Sequence, residues 1–335
     1  MSLEHRLRAA WTRRGPVAVL LWPLSRLYGA LAARERRRAV PMRLPVPVVV
    51  VGNVVAGGAG KTPTTLAVVA HLKARGWRPG ILSRGHGRNA GDCREVLPDS
   101  DPRAVGDEPL LLRQRAKVPV FVAARRAEAG RALLAAHPDC DLLLCDDGLQ
   151  HLALARDVEI CVFDARGVGN GWLLPAGPLR EPWPRAVDLV LWTEPSPTQP
   201  HTPGAFRASR RLAVHARRAD GSRVPLAELR GQPLTALAGI ARPEAFFAML
   251  QAAGLTLART LALPDHRAFD PALVASLPRG PLICTEKDAL KLWRLRPDAL
   301  AAPLLLDVPA AFFTALDERL AAQGYHPSHP PDTAP

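Results

Sequence analysis

Val55, Ala56, Gly57, Gly58, Ala59, Gly60, Lys61 and Thr62 stand in one uninterrupted stretch closed by Pro63. Residues of these types can grip phosphate. Three glycines let the chain curl without Cβ obstruction, so that backbone N–H groups converge on phosphate oxygens while Lys61 supplies positive charge. The hydroxyl of Thr62 can hold Mg²⁺. The strict pattern G-x-x-x-x-G-K-[ST] asks for glycine at position 55 and finds Val55, so this is a deviant P-loop. A plain Gly-rich turn with a solvated Lys61 is the competing reading. It is disfavoured because an apolar run at 47–51 precedes the loop and a helical pattern at 64–75 follows it, in the order a phosphate site requires. Pro63 fits the first helical turn, where a missing N–H costs little. A second cluster supports the first: the apolar run 142–145 ends in Asp146 and Asp147. Carboxylates at a strand end suit a P-loop enzyme that must hold Mg²⁺ or its water shell, although such pairs also form turns.

These groups need a frame that brings strand ends together. From 45 to about 194 short, continuously apolar runs alternate with helices or long loops, at 46–51, 79–83, 118–123, 141–145, 159–163 and 188–192. That is the mark of a parallel sheet covered on both faces, here a P-loop NTPase-like, doubly wound α/β sheet whose ligands collect beyond the carboxyl ends of its strands. Prolines at 195, 197, 200 and 203 then break the pattern, and basic residues crowd 207–223. Further apolar runs at 234–240, 282–284 and 304–308, with helical patterns at 243–253 and 309–323, predict a second, smaller α/β domain. The expected division is an N-terminal amphipathic helix in 1–40, a P-loop domain over 41–196, a linker or hairpin over 197–230, the smaller domain over 231–325, and a disordered Pro-rich tail over 326–335.

The chain has 335 residues, 48% of them hydrophobic, enough for two cores. Five cysteines without a C-x-x-C pair indicate reduced thiols and no zinc site. Much of the net charge of +13 lies in residues 1–43, where ten arginines face Glu4 and Glu35. Between those arginines runs the apolar stretch 17–28, interrupted by Pro23 and Arg26 and shorter than the roughly 20 residues a bilayer span needs. An interfacial helix explains both features, with apolar and aromatic side chains at the acyl boundary and arginines on anionic headgroups. A helix packed on its own protein is the alternative. A nucleic-acid arm explains the charge but not the apolar run, and aromatic readout motifs are missing, so no nucleic-acid partner is expected. No small-residue cleavage site follows the stretch, which argues against a signal peptide.

Several motifs stand in a specific order: Gly52-Asn53, Gly57 to Pro63, Ser83-Arg84-Gly85-His86-Gly87, Gly106-Asp107-Glu108-Pro109, Asp146-Asp147-Gly148-Leu149-Gln150-His151, the stretch from Asn170 to Glu181, and Thr285-Glu286-Lys287-Asp288. In this order, and in Pro23-Leu24-Ser25 and Leu27-Tyr28, the chain resembles the tetraacyldisaccharide 4′-kinases over nearly its whole length. Val55 agrees with that family's loop. The resemblance implies transfer of the ATP γ-phosphate, with Mg²⁺, to the 4′-hydroxyl of a tetraacylated disaccharide 1-phosphate, giving lipid IVA in lipid A synthesis. It implies work at the cytoplasmic face of the inner membrane on a lipid disaccharide, and no obligate protein partner is evident. Carried over by position, Lys61 and Thr62 grip phosphates and Mg²⁺, Asp146 and Asp147 manage the metal, and Asp107 is the base, partnered by His266. Arg267 stands where many relatives carry a second histidine.

Read alone, Asp107 also suits a helix N-cap and His266 a surface position. The motif residues Arg84, Gln150, His151, Arg180 and Glu181 are candidates for contact with substrate or nucleotide, with structural hydrogen bonding the equal alternative. The rival function is a regulatory or assembly ATPase that uses the same loop without a lipid acceptor, because P-loops serve both.

Overall fold

The computed structural model describes residues 10–58, 60–194, 196, 204–265 and 269–330. The expectations placed on Ala59 and His266 therefore lie outside the described residues.

The first sheet has eight strands: β1 (Val48–Gly52), β2 (Pro79–Ser83), β3 (Arg94–Glu95), β4 (Val120–Val122), β5 (Leu142–Asp146), β6 (Val158–Phe163), β7 (Leu189–Trp192) and β8 (Phe206–Arg207). Their spatial order is β3-β4-β2-β5-β1-β6-β7-β8, parallel throughout except for the β3 edge. Along β1 the side chains alternate between two cores. Val49 and Val51 join one cluster with Val68, Leu72 and Ile160, while Val48 and Val50 join another with Leu143 and Phe163. Helices on both faces demand apolar residues at every strand position, which is why the runs are continuous.

The second sheet contains β10 (His215–Arg217), β11 (Arg223–Pro225), β12 (Leu234–Ala238), β13 (Leu257–Ala262), β14 (Leu282–Thr285) and β15 (Leu300–Ala302), in the order β11-β10-β15-β14-β12-β13. It too is sandwiched: Ala236 and Ala238 face a core with Phe246 and Leu250, and Leu237 faces one with Cys284 and Leu292. A ribbon of β9 (Ser209–Leu212) and β16 (Leu304–Asp307), paired antiparallel, joins the two units.

Two features depart from the expected division. The run near 304–308 pairs with β9 rather than entering the second sheet, and the terminal helix that follows it, Ala310–Ala322, buries Phe312, Leu316 and Leu320 in the core of the first sheet. The segment 326–330, expected to be disordered, lies against the body of the protein. Ser328 N–H donates to Asp141 Oδ2 at 3.2 Å, and a Cβ on Gly76 would sit 2.2 Å from the His329 carbonyl, so the tail's path depends on glycine there.

Before β1 runs helix α1 (Pro16–Arg38), 23 residues and, among the described residues, the one helix long and apolar enough by length and composition to cross a membrane. It extends well past the expected apolar stretch. One side is seated: Ala18 and Ser25 are buried, Ser25 Oγ donates to Leu173 O at 2.8 Å, and Tyr28 Oη donates to Arg180 O at 2.9 Å. The opposite stripe of Val17, Leu20, Leu24, Leu27 and Leu31 is exposed, with Leu20 at 79%.

Candidate functional site

The site forms where the direction of strand addition reverses, since β1 has β5 on one side and β6 on the other. Beyond β1 the chain turns through the phosphate loop with Gly57 at φ +95° and Gly60 at φ +85°, a region that side chains resist, and enters helix α2 (Lys61–Ala74). The loop thereby leads into a helix N-terminus, where unpaired N–H groups and the helix dipole favour anions. The loop is braced from outside. Ala56 N–H donates to Pro178 O at 2.8 Å, Asn53 Nδ2 to Gly57 O at 3.1 Å, and the Arg166 guanidinium to Ala56 O at 3.1 Å and also to Gly58 O.

The register of β1 against β5 sets Val51 beside Asp146, so both strand-end carboxylates arrive next to the loop. Their environments differ. Asp146 is buried and accepts a 2.8 Å hydrogen bond from Thr65 Oγ1 on α2. Burial pushes its carboxyl up to about 7, aided by the Glu108 and Asp147 charges and opposed by the Thr65 hydroxyl and Lys61. Asp147, in the left-handed region at φ +49°, turns its carboxylate toward the loop, with Oδ1 3.4 Å from Lys61 Nζ and 3.5 Å from Arg180 Nη1. Burial alone would raise this carboxyl, but Lys61 and Arg180 outweigh it and hold it below the usual carboxylate range. Lys61 Nζ also lies 3.4 Å from Asn53 Oδ1, so the ammonium is poised between a carboxylate and an amide.

The remaining motif residues divide. Arg180 faces Asp147 and donates to Gln150 Oε1 at 3.2 Å. Gln150 Nε2 in turn donates to Glu181 Oε1 at 2.6 Å and to Asn53 O at 2.9 Å. Glu181 is buried, bound by Arg36 of α1 and by Arg185 Nε at 2.9 Å, the contacts of a structural brace. His151 Nε2 accepts the Arg126 backbone N–H at 3.1 Å. Burial, then Arg126, Arg156 and Arg84, push its imidazole down to about 4. Arg84 follows β2 as an exposed residue beside that group.

Asp107 opens helix α3 (Asp107–Ala116) at the same end of the sheet, buried, with Oδ2 3.4 Å from Lys291 Nζ of helix α4 (Glu286–Leu292) in the smaller domain. Sequence reasoning missed Thr65, Arg126, Arg166, Lys287 and Lys291. Each is an ordinary helix or loop residue whose partner lies far along the chain, and only Lys287 stands inside a motif. Arg210 was also unforeseen. It reaches from β9 to Thr193 Oγ1 at 2.8 Å, and its Nη2 would lie 2.6 Å from a Cβ on Gly60.

Among the described residues no group of three or more His, Cys, Asp or Glu side chains could hold a metal by themselves. Mg²⁺ in phosphate sites is commonly held by one or two carboxylates together with the ligand's phosphates. Asp147 Oδ1 is buried and held by the Lys61 and Arg180 cations at 3.4 and 3.5 Å, so a Mg²⁺ at the loop mouth would meet this oxygen in competition with those two side chains.

Comparison with known proteins supports the geometry. The family model for tetraacyldisaccharide-1-P 4′-kinase matches residues 17–323. A protein of Acidovorax sp. (strain JS42) named tetraacyldisaccharide 4′-kinase is 62% identical over 325 residues, 96% of each chain. One of the same name from Dechloromonas aromatica (strain RCB) is 49% identical over 323 residues, 91% of this chain and 96% of the relative. The crystal structure of LpxK from Aquifex aeolicus in complex with ATP superposes with a TM-score of 0.78 at 26% identity, covering 92% of this chain and 99% of that one.

Proposed function

The chain belongs to the tetraacyldisaccharide-1-P 4′-kinase family, and from that premise we propose how its residues transfer the γ-phosphate of ATP to the 4′-hydroxyl of a tetraacylated disaccharide 1-phosphate. The observation that carries the reading is the convergence of Lys61, Asp147 and Arg180 on the mouth of the loop, with Asp107 at the same sheet end. The loop N–H groups and Lys61 bind the β- and γ-phosphates. Asp147 and the Thr62 hydroxyl would hold Mg²⁺, and Asp146 acts through Thr65 to fix the first turns of α2. When bound, Mg²⁺ neutralises charge on the phosphate oxygens.

The acceptor hydroxyl attacks Pγ, the bond from Pγ to the bridging oxygen breaks, and ADP leaves with that electron pair. Asp107 takes the hydroxyl proton, with His266 as the partner that orients it or relays the proton. Lys61 and Arg180 offset charge on the transferring group. The exposed stripe of α1 lies in the headgroup boundary of the inner membrane's cytoplasmic face, so the amphiphilic acceptor is met at the surface it occupies.

Conversion of a labelled disaccharide monophosphate to the bisphosphate, dependent on ATP and Mg²⁺, tests this directly. Lys61→Ala and Asp107→Ala are expected to lose it, and full turnover in both would refute the mechanism. ATP consumption indifferent to the disaccharide would favour a plain ATPase.

A further inference from the structure

Helices α3 and α4 meet across the boundary between the two α/β units, and their facing charges are complementary. Asp107 Oδ2 lies 3.4 Å from Lys291 Nζ, Glu108 Oε1 lies 3.6 Å from Lys287 Nζ, and Arg115 pairs with Glu286. Lys287 also holds Asp265 Oδ1 at 3.0 Å, immediately before the 266–268 segment. The start of α4 is fixed independently. Thr285 Oγ1 donates to Asp288 Oδ2 at 2.6 Å, the Asp288 N–H donates to Thr285 Oγ1 at 3.2 Å, and the Gly239 N–H donates to Asp288 Oδ2 at 2.8 Å. That reciprocal cap places Lys291, one helical turn on, with its ammonium 4.0 Å from Asp288 Oδ1 and over the Phe269 ring.

An exposed lysine pair would contribute little, since solvent screens it and two long side chains must be ordered. This pair differs, because the Lys291 and Asp107 side chains are only 14% and 11% exposed. We propose that Lys291 is a positioning residue for Asp107, supplied by the smaller domain, which keeps the base ionised and oriented when the two domains are joined through α3 and α4.

The proposal rests on the reading of Asp107 as the base. A carboxylate must be ionised to accept a hydroxyl proton, and burial works against that form. A cation within about 4–6 Å offsets the burial. Among the described residues the charged groups around Asp107 include Lys287 and Asp288 of α4, Asp265, and Glu108 on its own helix with Asp146 beyond it, and the loop after β2 that carries Arg84, His86 and Arg88 packs its backbone against Gly106. Of the cations in that set, Lys291 and Lys287 come from the smaller domain. The Thr285-Glu286-Lys287-Asp288 motif then has a physical reason: it builds the helix start that aims Lys291.

The experiment compares the full-length enzyme with its Lys291→Met, Lys291→Arg, Lys287→Met and Asp107→Asn variants, measuring kcat and KM for ATP across pH. Lys291→Met should move the acid limb of the kcat profile to higher pH by about one unit or more. KM for ATP should change less than about twofold, because the phosphate loop is untouched, and Lys291→Arg should restore the limb. An unmoved limb in Lys291→Met, or an equal movement in Lys287→Met, would overturn the assignment. If Lys291→Met does not fold, Lys291→Gln carries the same test. Retained turnover in Asp107→Asn would remove the base reading itself. An inactive Asp107→Asn with an unmoved limb in Lys291→Met would remove only the role of Lys291.

Discussion

Glu181→Ala probes the connection between the N-terminal helix and the phosphate site. Glu181, 3% exposed at its side chain, receives Gln150 Nε2 at 2.6 Å, Arg185 Nε at 2.9 Å and the Arg36 guanidinium. Breaking a buried ion pair by removing one partner costs about 3–5 kcal/mol, because a charge is left unpaired. Here the lower end applies. Arg36 is 45% exposed and regains water, and Arg185 keeps Glu159 as a second partner. The expected loss of stability is therefore about 3 kcal/mol, read from denaturant midpoints at constant slope. Activity should fall as well. Without Glu181 the Gln150 amide is no longer held, and Gln150 positions the Arg180 guanidinium 3.5 Å from Asp147. A tenfold to hundredfold fall in kcat/KM is expected, equal to about 1.4–2.8 kcal/mol of lost transition-state stabilisation. Arg36→Ala should cost far less in both assays, on the order of 1 kcal/mol or below, because its charge is half solvated. Equal effects of the two variants, or wild-type kinetics in Glu181→Ala, would refute the chain of contacts as drawn.

Two further outcomes follow from other parts of the fold. His151 has its imidazole pushed down to about 4 from 6.5, first by burial and then by Arg126, Arg156 and Arg84, so folding keeps it neutral. The folded state binds fewer protons than the unfolded one between those values. Its contribution is thus intact above pH 6.5 and lost as pH falls toward 4, by about 1–2 kcal/mol once partial exposure is discounted. Urea unfolding at pH 5 and 7.5 should show a difference that His151→Gln removes, and an equal slope in both proteins would count against it. Replacing Leu20, Leu24 and Leu27 with serine should weaken binding to anionic vesicles more than tenfold, since each leucine is worth about 1.5–3 kcal/mol when fully buried. Unchanged co-sedimentation would place the membrane contact elsewhere.

Six parallel strands of the first sheet, β1, β2 and β4 to β7, were legible because burial on both faces makes each a short apolar run, as in Val48 to Val51 and Leu142 to Cys145, whereas the two-residue edge strand β8 was not. The loop was legible because its chemistry is local. Three features show why other parts were not. Strand β13 is an edge strand whose residues, from Leu257 to Ala262, are exposed or half-buried, so it lacks that pattern. The helix Ala310–Ala322 carries an ordinary amphipathic stripe, and nothing in such a stripe says which of two cores it will join; Phe312, Leu316 and Leu320 join the first. The pairing of Asp107 with Lys291 spans 184 positions and depends on how two domains face each other. Motif order could bring Thr285 to Asp288 to notice, but the lysine that meets Asp107 lies one turn beyond.

The long motif from Asn170 to Glu181 owes its length to having two sides. Ser25 of α1 donates to Leu173 O and accepts from the Ala176 N–H at 2.9 Å, while Tyr28 donates to Arg180 O. On the other side the same segment pairs with the phosphate loop through Ala56 N–H to Pro178 O and Arg180 N–H to Val54 O, both 2.8 Å. Internally it is fixed by Asn170, whose Nδ2 donates to Ala176 O at 2.8 Å and whose Oδ1 accepts the Trp172 N–H at 3.0 Å. A Cβ at Gly177 would fall 2.2 Å from that Oδ1, so the turn closes only with glycine. Side-chain hydroxyls on the helix side and backbone hydrogen bonds on the loop side leave little freedom between the helix and the loop. An enzyme that phosphorylates a lipid-borne sugar must hold its phosphate donor at a fixed height above the surface on which the acceptor lies. With α1 at that surface, as proposed above, this short segment would set the height, and the only charges it carries are Arg180 and Glu181 at its end.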